Sequence, residues 1–88
     1  MSGPVKLRSD ALEWKRLGEE IVALDLRSSE YLAINRTGAA IWDLLLEGAF
    51  EEELSALVAE RFSVTLARAG EDVRAFIHQL SEQDLLEP

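Results

Sequence analysis

The chain has 88 residues, no cysteine, one histidine and a formal net charge of −8. This length fits a single domain, residues 1–88, with one modest core. The lack of cysteine excludes disulfides, thiolate nucleophiles and Cys-ligated metals, and His78 alone cannot form a histidine-based metal cluster. We therefore expect neither a metal nor a cofactor.

The negative charge lies in the second half of the chain. Residues 1–42 carry six acidic and six basic residues, whereas residues 43–88 carry eleven acidic and three basic ones. Such a surface repels phosphate backbones. The N-terminus has no apolar signal region, and no apolar run approaches the roughly 20 residues that span a bilayer. We expect a cytoplasmic protein that binds neither nucleic acid nor membrane.

The first part of the chain predicts an antiparallel meander. Residues 5–8 suit a short lead-in strand or arm, and alternating apolar residues separated by polar breaks predict strands at 11–17, 21–26 and 31–34. In the third strand Leu32 and Ile34 share one face, which we assign to the core. Tyr31 is then expected at a boundary, with its ring packed and its hydroxyl in water.

The third strand contains no proline, lysine or obvious bulge. If it lies at the edge of the sheet, its unpaired N–H and C=O groups are available to an extended peptide. The sequence therefore indicates a binding surface that needs no catalytic group.

Helical periodicity predicts three helices after the meander, at residues 38–47, 51–61 and 66–83. Asn35 or Thr37 can cap the first helix and Gly48 can end it, while Thr65 can cap the third. Trp42 is the expected core anchor of the first helix.

The third helix carries an apolar stripe formed by Ala69, Val73, Phe76, Ile77 and Leu80. Amphipathic helices usually bury such a stripe in their own core. If this helix lies alongside the third strand, some of these side chains are core and others line a groove that is open to a ligand.

No catalytic constellation is apparent. His78 has no nucleophile or orienting carboxylate that could converge on it, so we interpret it as a surface residue. The run Glu51, Glu52 and Glu53 opens a helix, where acidic residues suit the positive helix end. Nucleotide-binding, zinc-protease and paired-carboxylate motifs are absent from the sequence. We expect a protein that is not an enzyme.

A small sheet with three helices also suits a winged helix-turn-helix protein, which would normally bind DNA. The third helix opposes this function, because Glu71, Asp72 and Glu82 outnumber its basic residues Arg68 and Arg74. An acidic transcription factor and a dimerisation module that pairs edge to edge through the third strand are alternatives.

Residues 34–45 read Ile-Asn-Arg-Thr-Gly-Ala-Ala-Ile-Trp-Asp-Leu-Leu. They resemble the hydrophobic-Asn-x-Thr-Gly-Ala-x-Ile-Trp-x-x-Leu motif of the PqqD-like family, the recognition elements for precursors of ribosomally synthesised, post-translationally modified peptides (RiPPs). Residues 72–80 are similar to the family's ending. The resemblance implies an α+β, winged helix-turn-helix-like fold in which a three-stranded antiparallel sheet precedes three helices. It further implies a non-catalytic adaptor that binds the leader segment of a precursor peptide as an added strand.

The resemblance assigns site residues by position. The strand wall of the peptide cleft is Glu30, Tyr31, Leu32, Ala33 and Ile34. The helix wall is drawn from Asp72, Val73, Phe76, Ile77 and Leu80. The motif residues Asn35, Thr37, Gly38 and Trp42 look structural.

The implied partners depend on the pathway. A stand-alone chain of this size resembles the discrete proteins of lasso-peptide clusters, which present the precursor to a leader peptidase and a macrolactam cyclase. The alternative is the peptide chaperone of pyrroloquinoline quinone synthesis, which serves a radical-SAM enzyme.

Overall fold

Three strands come first and three helices follow in the computed structural model, which describes residues 3–88. A 3-10 turn at Ser9–Ala11 leads into β1 (Leu12–Leu17), β2 (Glu20–Asp25), β3 (Glu30–Ile34), α1 (Arg36–Glu47), α2 (Glu51–Phe62) and α3 (Leu66–Glu82). The predicted α+β class and the antiparallel meander are confirmed.

The sheet has the order β1-β2-β3, with both pairs antiparallel. Gly18 turns the chain between β1 and β2 with a φ of +64°, a conformation that glycine adopts without steric cost. The lead-in residues Val5 and Leu7 form isolated bridges to Ala49 and Leu86. This segment is therefore an arm across the helical side, and not a strand of the sheet.

The core lies between one face of the sheet and the helices. Leu32, Ile34 and Trp42 are buried, as predicted, and the Trp42 ring meets the Trp14 ring edge to face with centroids 6.0 Å apart. The prediction for Tyr31 is wrong. This side chain is 73% exposed on the outer face of the sheet, because no element covers that face within residues 3–88.

The helix ends follow their capping residues. Asn35 Oδ1 accepts a hydrogen bond from the Gly38 N–H at 3.0 Å, so Asn35 is the cap and α1 begins at Arg36, earlier than predicted. Gly48 ends α1 with a φ of +98°. Thr65 Oγ1 accepts from the Arg68 N–H at 3.1 Å and caps α3. The predictions that Gly48 ends α1 and that Thr65 caps α3 are therefore confirmed.

His78 lies on the solvent side of α3, and its Nε2 is 3.6 Å from Glu82 Oε2. Its interpretation as a surface residue is confirmed. In the part of the chain that the structure describes, no helix has both the length and the apolar character needed to cross a bilayer.

Candidate functional site

β3 is an edge strand, because within residues 3–88 it pairs with β2 on one side and with no strand on the other. The direction in which the backbone groups of β3 point can be derived from one hydrogen bond beside the β1–β2 ladder. The Leu26 N–H donates to the Ala11 carbonyl oxygen at 2.9 Å, immediately beyond the end of the β1–β2 ladder. In an antiparallel pair the bonded positions alternate. Asp25, Ala23 and Ile21 therefore direct their backbone groups away from β1 and toward β3.

The same alternation continues into β3. Leu32 lies opposite Ala23 and Ile34 lies opposite Ile21, so the backbone groups of Leu32 and Ile34 are used in the ladder with β2. The N–H and C=O groups of Tyr31 and Ala33 point to the free edge. These are the groups that an added strand would bond.

A cleft separates the end of β3 from α3. Helix α3 packs chiefly against α2 and less extensively against α1, and one of its flanks faces the start of α1, where β3 has just ended. A cavity of about 380 Å³ lies between this flank and the β3–α1 junction. It is lined by Asn35, Thr37, Gly38, Arg68, Asp72, Ala75, Phe76 and Gln79.

A close contact across Gly38 forms the inner end of the cleft. A Cβ atom at this position would lie 2.8 Å from both Ile34 Cγ2 and Phe76 Cζ. The Phe76 ring is only 8% exposed. The glycine of the Asn-x-Thr-Gly motif therefore lets the ring of α3 approach the end of β3.

Replacing Gly38 with alanine is expected to lower the free energy of unfolding by about 1–2 kcal/mol, because overpacking at the upper end of its usual range of about 1–3 kcal/mol exceeds alanine's gain in helix propensity of about 1 kcal/mol. The matched control is Gly70→Ala in α3, where the nearest atom is the mobile end of Arg74 at 3.2 Å. Urea unfolding should show a loss for the first variant and none for the second. Equal stability of the Gly38 variant and the parent chain would contradict the contact.

The predicted strand wall divides between two environments. Glu30, Tyr31 and Ala33 are exposed, whereas Leu32 and Ile34 are buried beneath the sheet. The exposed residues are thus accessible to a peptide, and the buried pair supports them.

The predicted helix wall divides in the same way. Asp72 and Phe76 line the cavity, whereas Val73 and Leu80 are fully buried in the core. Ile77 is half-buried and, roughly 100° around the helix from Phe76, shares a flank with Gly70 and lies on the α2 side. The structure therefore brings two of these five residues to the cavity.

Sequence reasoning missed three cavity-lining residues on α3, namely Arg68, Ala75 and Gln79. Arg68 and Gln79 are polar and Ala75 is small, so none of the three was assigned to the apolar stripe. They lie three or four residues from Asp72 or Phe76, which places all five residues on one flank of α3. That spacing would have identified them if the orientation of α3 had been known.

The cavity is close to neutral in spite of the chain's net charge of −8. Arg68 Nε lies 3.6 Å from Asp72 Oδ2 in an exposed i,i+4 pair, and the other lining side chains are uncharged. Such a pair contributes about 0.3–0.5 kcal/mol, so either partner can turn to a ligand at little cost.

At the opposite end of β3, Asp25 is a charged side chain only 5% exposed. The backbone N–H of Arg27 donates to Asp25 Oδ1 at 3.0 Å, and the Arg27 guanidinium donates at 3.4 Å. Led by the backbone bond, these interactions lower the pKa of Asp25 below its usual 3.8, although burial opposes them. These interactions stabilise the folded state at pH values above the pKa that Asp25 has in the unfolded chain. The stabilisation is lost as pH falls through the lower pKa that Asp25 has in the folded chain.

These features define a small winged-helix-like α+β module with an open strand edge beside a cleft. No cluster of three or more potential metal ligands occurs in the described range, residues 3–88. Residues 20–86 match the family described as Coenzyme PQQ synthesis protein D (PqqD), and the chain belongs to this family. The resemblance of the Asn-x-Thr-Gly motif to PqqD-like proteins is thereby confirmed.

Two solved structures are similar over nearly their whole length. TbiB1 in complex with the TbiA(beta) leader peptide is 33% identical, with a TM-score of 0.82 over 93% of this chain and 94% of that one. Lasso peptide synthetase B1 complexed with the leader peptide is 27% identical, with a TM-score of 0.80 over 96% and 98%. No curated protein matches the chain.

Proposed function

We propose that this protein is a non-catalytic adaptor that binds the leader segment of a ribosomally made precursor peptide. The observation that carries the proposal is the free edge of β3, where the N–H and C=O groups of Tyr31 and Ala33 have no strand partner in residues 3–88. Backbone pairing at this edge supplies affinity, and side-chain pockets supply specificity. The similar structures of TbiB1 and lasso peptide synthetase B1, each in complex with a leader peptide, support it.

The proposed contact surface is narrower than the set assigned by resemblance. On the strand it comprises Glu30, Tyr31 and Ala33, whose side chains or backbone groups are exposed. On α3 it comprises Arg68, Asp72, Ala75, Phe76 and Gln79. The remaining assigned residues hold β3 and α3 in place from the core or from the α2 side. They are Leu32, Ile34, Val73, Ile77 and Leu80.

Calorimetric titration tests this function. The probes are the synthetic leader of a precursor encoded beside this gene and the TbiA(beta) leader, and a scrambled leader is the control. One-to-one binding of a native leader and none of the scrambled one are expected. Failure of a folded protein to bind its native leader would contradict the proposal.

We further propose delivery of the bound precursor to a leader peptidase and a macrolactam cyclase, and the similarity to lasso peptide synthetase B1 supports a lasso-peptide pathway. The family description favours a second candidate, service to a radical-SAM enzyme in pyrroloquinoline quinone synthesis. Co-elution of the leader-loaded adaptor with the purified peptidase supports the first pathway. Co-elution with the radical-SAM enzyme supports the second and overturns the first.

A further inference from the structure

One arginine ties the turn before β3 to the chain just beyond α3. Arg27 Nη1 donates to Asp84 Oδ2 at 3.0 Å, and Arg27 Nη2 donates to the Asp84 carbonyl oxygen at 2.7 Å. Because the second bond ends on the backbone, it holds the polypeptide itself and not only a side chain. Arginine offers these two bonds from one planar group, whereas lysine has a single nitrogen.

Both ends of this connection are themselves fixed. On one side, Asp25 is buried at the end of β2 and accepts hydrogen bonds from the Arg27 backbone N–H and from Nε. On the other side, Asp84 reverses the chain with a φ of +58°, and its N–H donates to the Ser81 carbonyl oxygen at 3.0 Å. The arginine therefore links the end of β2 to the last turn of α3.

The link lies near the start of β3, and the packing around Gly38 lies at the end of that strand. Asp84 follows the C-terminus of α3, and Arg27 precedes the first residue of β3, Glu30. Phe76, farther back in α3, and Ile34, at the other end of β3, both pack close to Gly38. The strand and this part of the helix thus run in opposite directions, connected by Arg27 near one end and through Gly38 near the other.

We propose that Arg27 is a positioning residue that holds the C-terminal end of α3 beside the start of β3 and so keeps the cleft preformed before a peptide enters. This inference rests on the proposed function, because it gives the width of the cleft a role in leader binding. A preformed site avoids the entropy cost of ordering its walls at the moment of binding.

The structure also offers a matched control. Arg8 Nη1 donates to the same Asp84 Oδ2 at 3.3 Å, but Arg8 belongs to the N-terminal arm. Replacing Arg8 with methionine removes one ion pair from Asp84 and leaves β3 joined to α3. Replacing Arg27 with methionine removes the bonds that tie the turn before β3 to Asp84 and retains most of the aliphatic side chain.

The first experiment uses the free protein. Amide hydrogen exchange is measured across residues 76–84 for the parent chain and for the Arg27→Met, Arg27→Lys and Arg8→Met variants, after circular dichroism has shown that each is folded. We expect exchange about tenfold faster for Arg27→Met, a smaller change for Arg27→Lys and none for Arg8→Met. Equal exchange in the Arg27→Met and Arg8→Met variants would overturn the positioning role.

The second experiment measures association and dissociation rates with the native leader. If about one tenth of the Arg27→Met molecules hold a competent cleft, the apparent Kd rises about tenfold through slower association, and dissociation is nearly unchanged. A rise carried wholly by faster dissociation would mean that Arg27 contacts the peptide directly, which contradicts the inference. If the parent chain does not bind the leader, the proposed function fails, and the exchange comparison alone decides whether Arg27 positions α3.

Discussion

Replacing Ala33 with proline is expected to weaken leader binding roughly 10- to 100-fold while the chain remains folded. The Ala33 N–H points to the free edge of β3, so proline removes a donor that the β2–β3 ladder does not use. Its ring also occupies the path of an added strand. Calorimetry with the native leader measures the loss, and circular dichroism verifies the fold.

The opposite edge of the sheet provides the control for this variant. By the same alternation, the Arg16 N–H on β1 points away from β2. Arg16 does not line the α3 cavity, and its side chain donates to the Ala39 carbonyl oxygen at 3.4 Å and pairs with Asp43. Arg16→Pro places an equivalent proline on an edge that we do not assign to the leader. It should bind as the parent chain does. Equal weakening by both prolines would show that general destabilisation, and not the β3 edge, causes the effect.

Replacing Ala75 with tryptophan is expected to weaken leader binding by about tenfold or more, because the indole fills part of the 380 Å³ cavity. Ala75 is exposed, so the change leaves the core intact. Ala67→Trp is the control, since Ala67 is an exposed alanine on the same helix that does not line the cavity.

Titration of both tryptophan variants with the native leader, together with their thermal unfolding temperatures, separates blocking of the cleft from loss of stability. The proposed helix wall requires that only Ala75→Trp lose affinity. Tight binding by this variant would exclude the flank that contains Ala75 and Gln79 from the binding site and would leave the proposed pairing at β3 untouched.

Local sequence signals were sufficient for most of the fold. The switch from alternating to helical periodicity located β3 and α1, and the short-range capping groups of Asn35 and Thr65 set the starts of two helices. Trp42 was predictable as a core residue because it lies within the apolar face of an amphipathic helix. In each case the structure is determined by an interaction between residues close in sequence or by the burial of an apolar face.

The orientation of α3 required tertiary information. Periodicity places Val73, Phe76 and Ile77 on one broad stripe, but packing against α2 decides which border of the stripe meets the cleft. The Arg27–Asp84 contact joins residues 57 positions apart, and no sequence pattern indicates it. The exposure of Tyr31 likewise depends on whether another element covers the outer face of the sheet.

Amide hydrogen exchange of the complex with its leader, resolved by residue with NMR, tests strand addition most directly. In the free protein the Leu32 and Ile34 amides should already be protected by the ladder with β2, whereas those of Tyr31 and Ala33 should exchange rapidly. Binding of the native leader should slow exchange at Tyr31 and Ala33 by about tenfold or more. Unchanged exchange at these two amides in a saturated complex would show that the leader binds elsewhere.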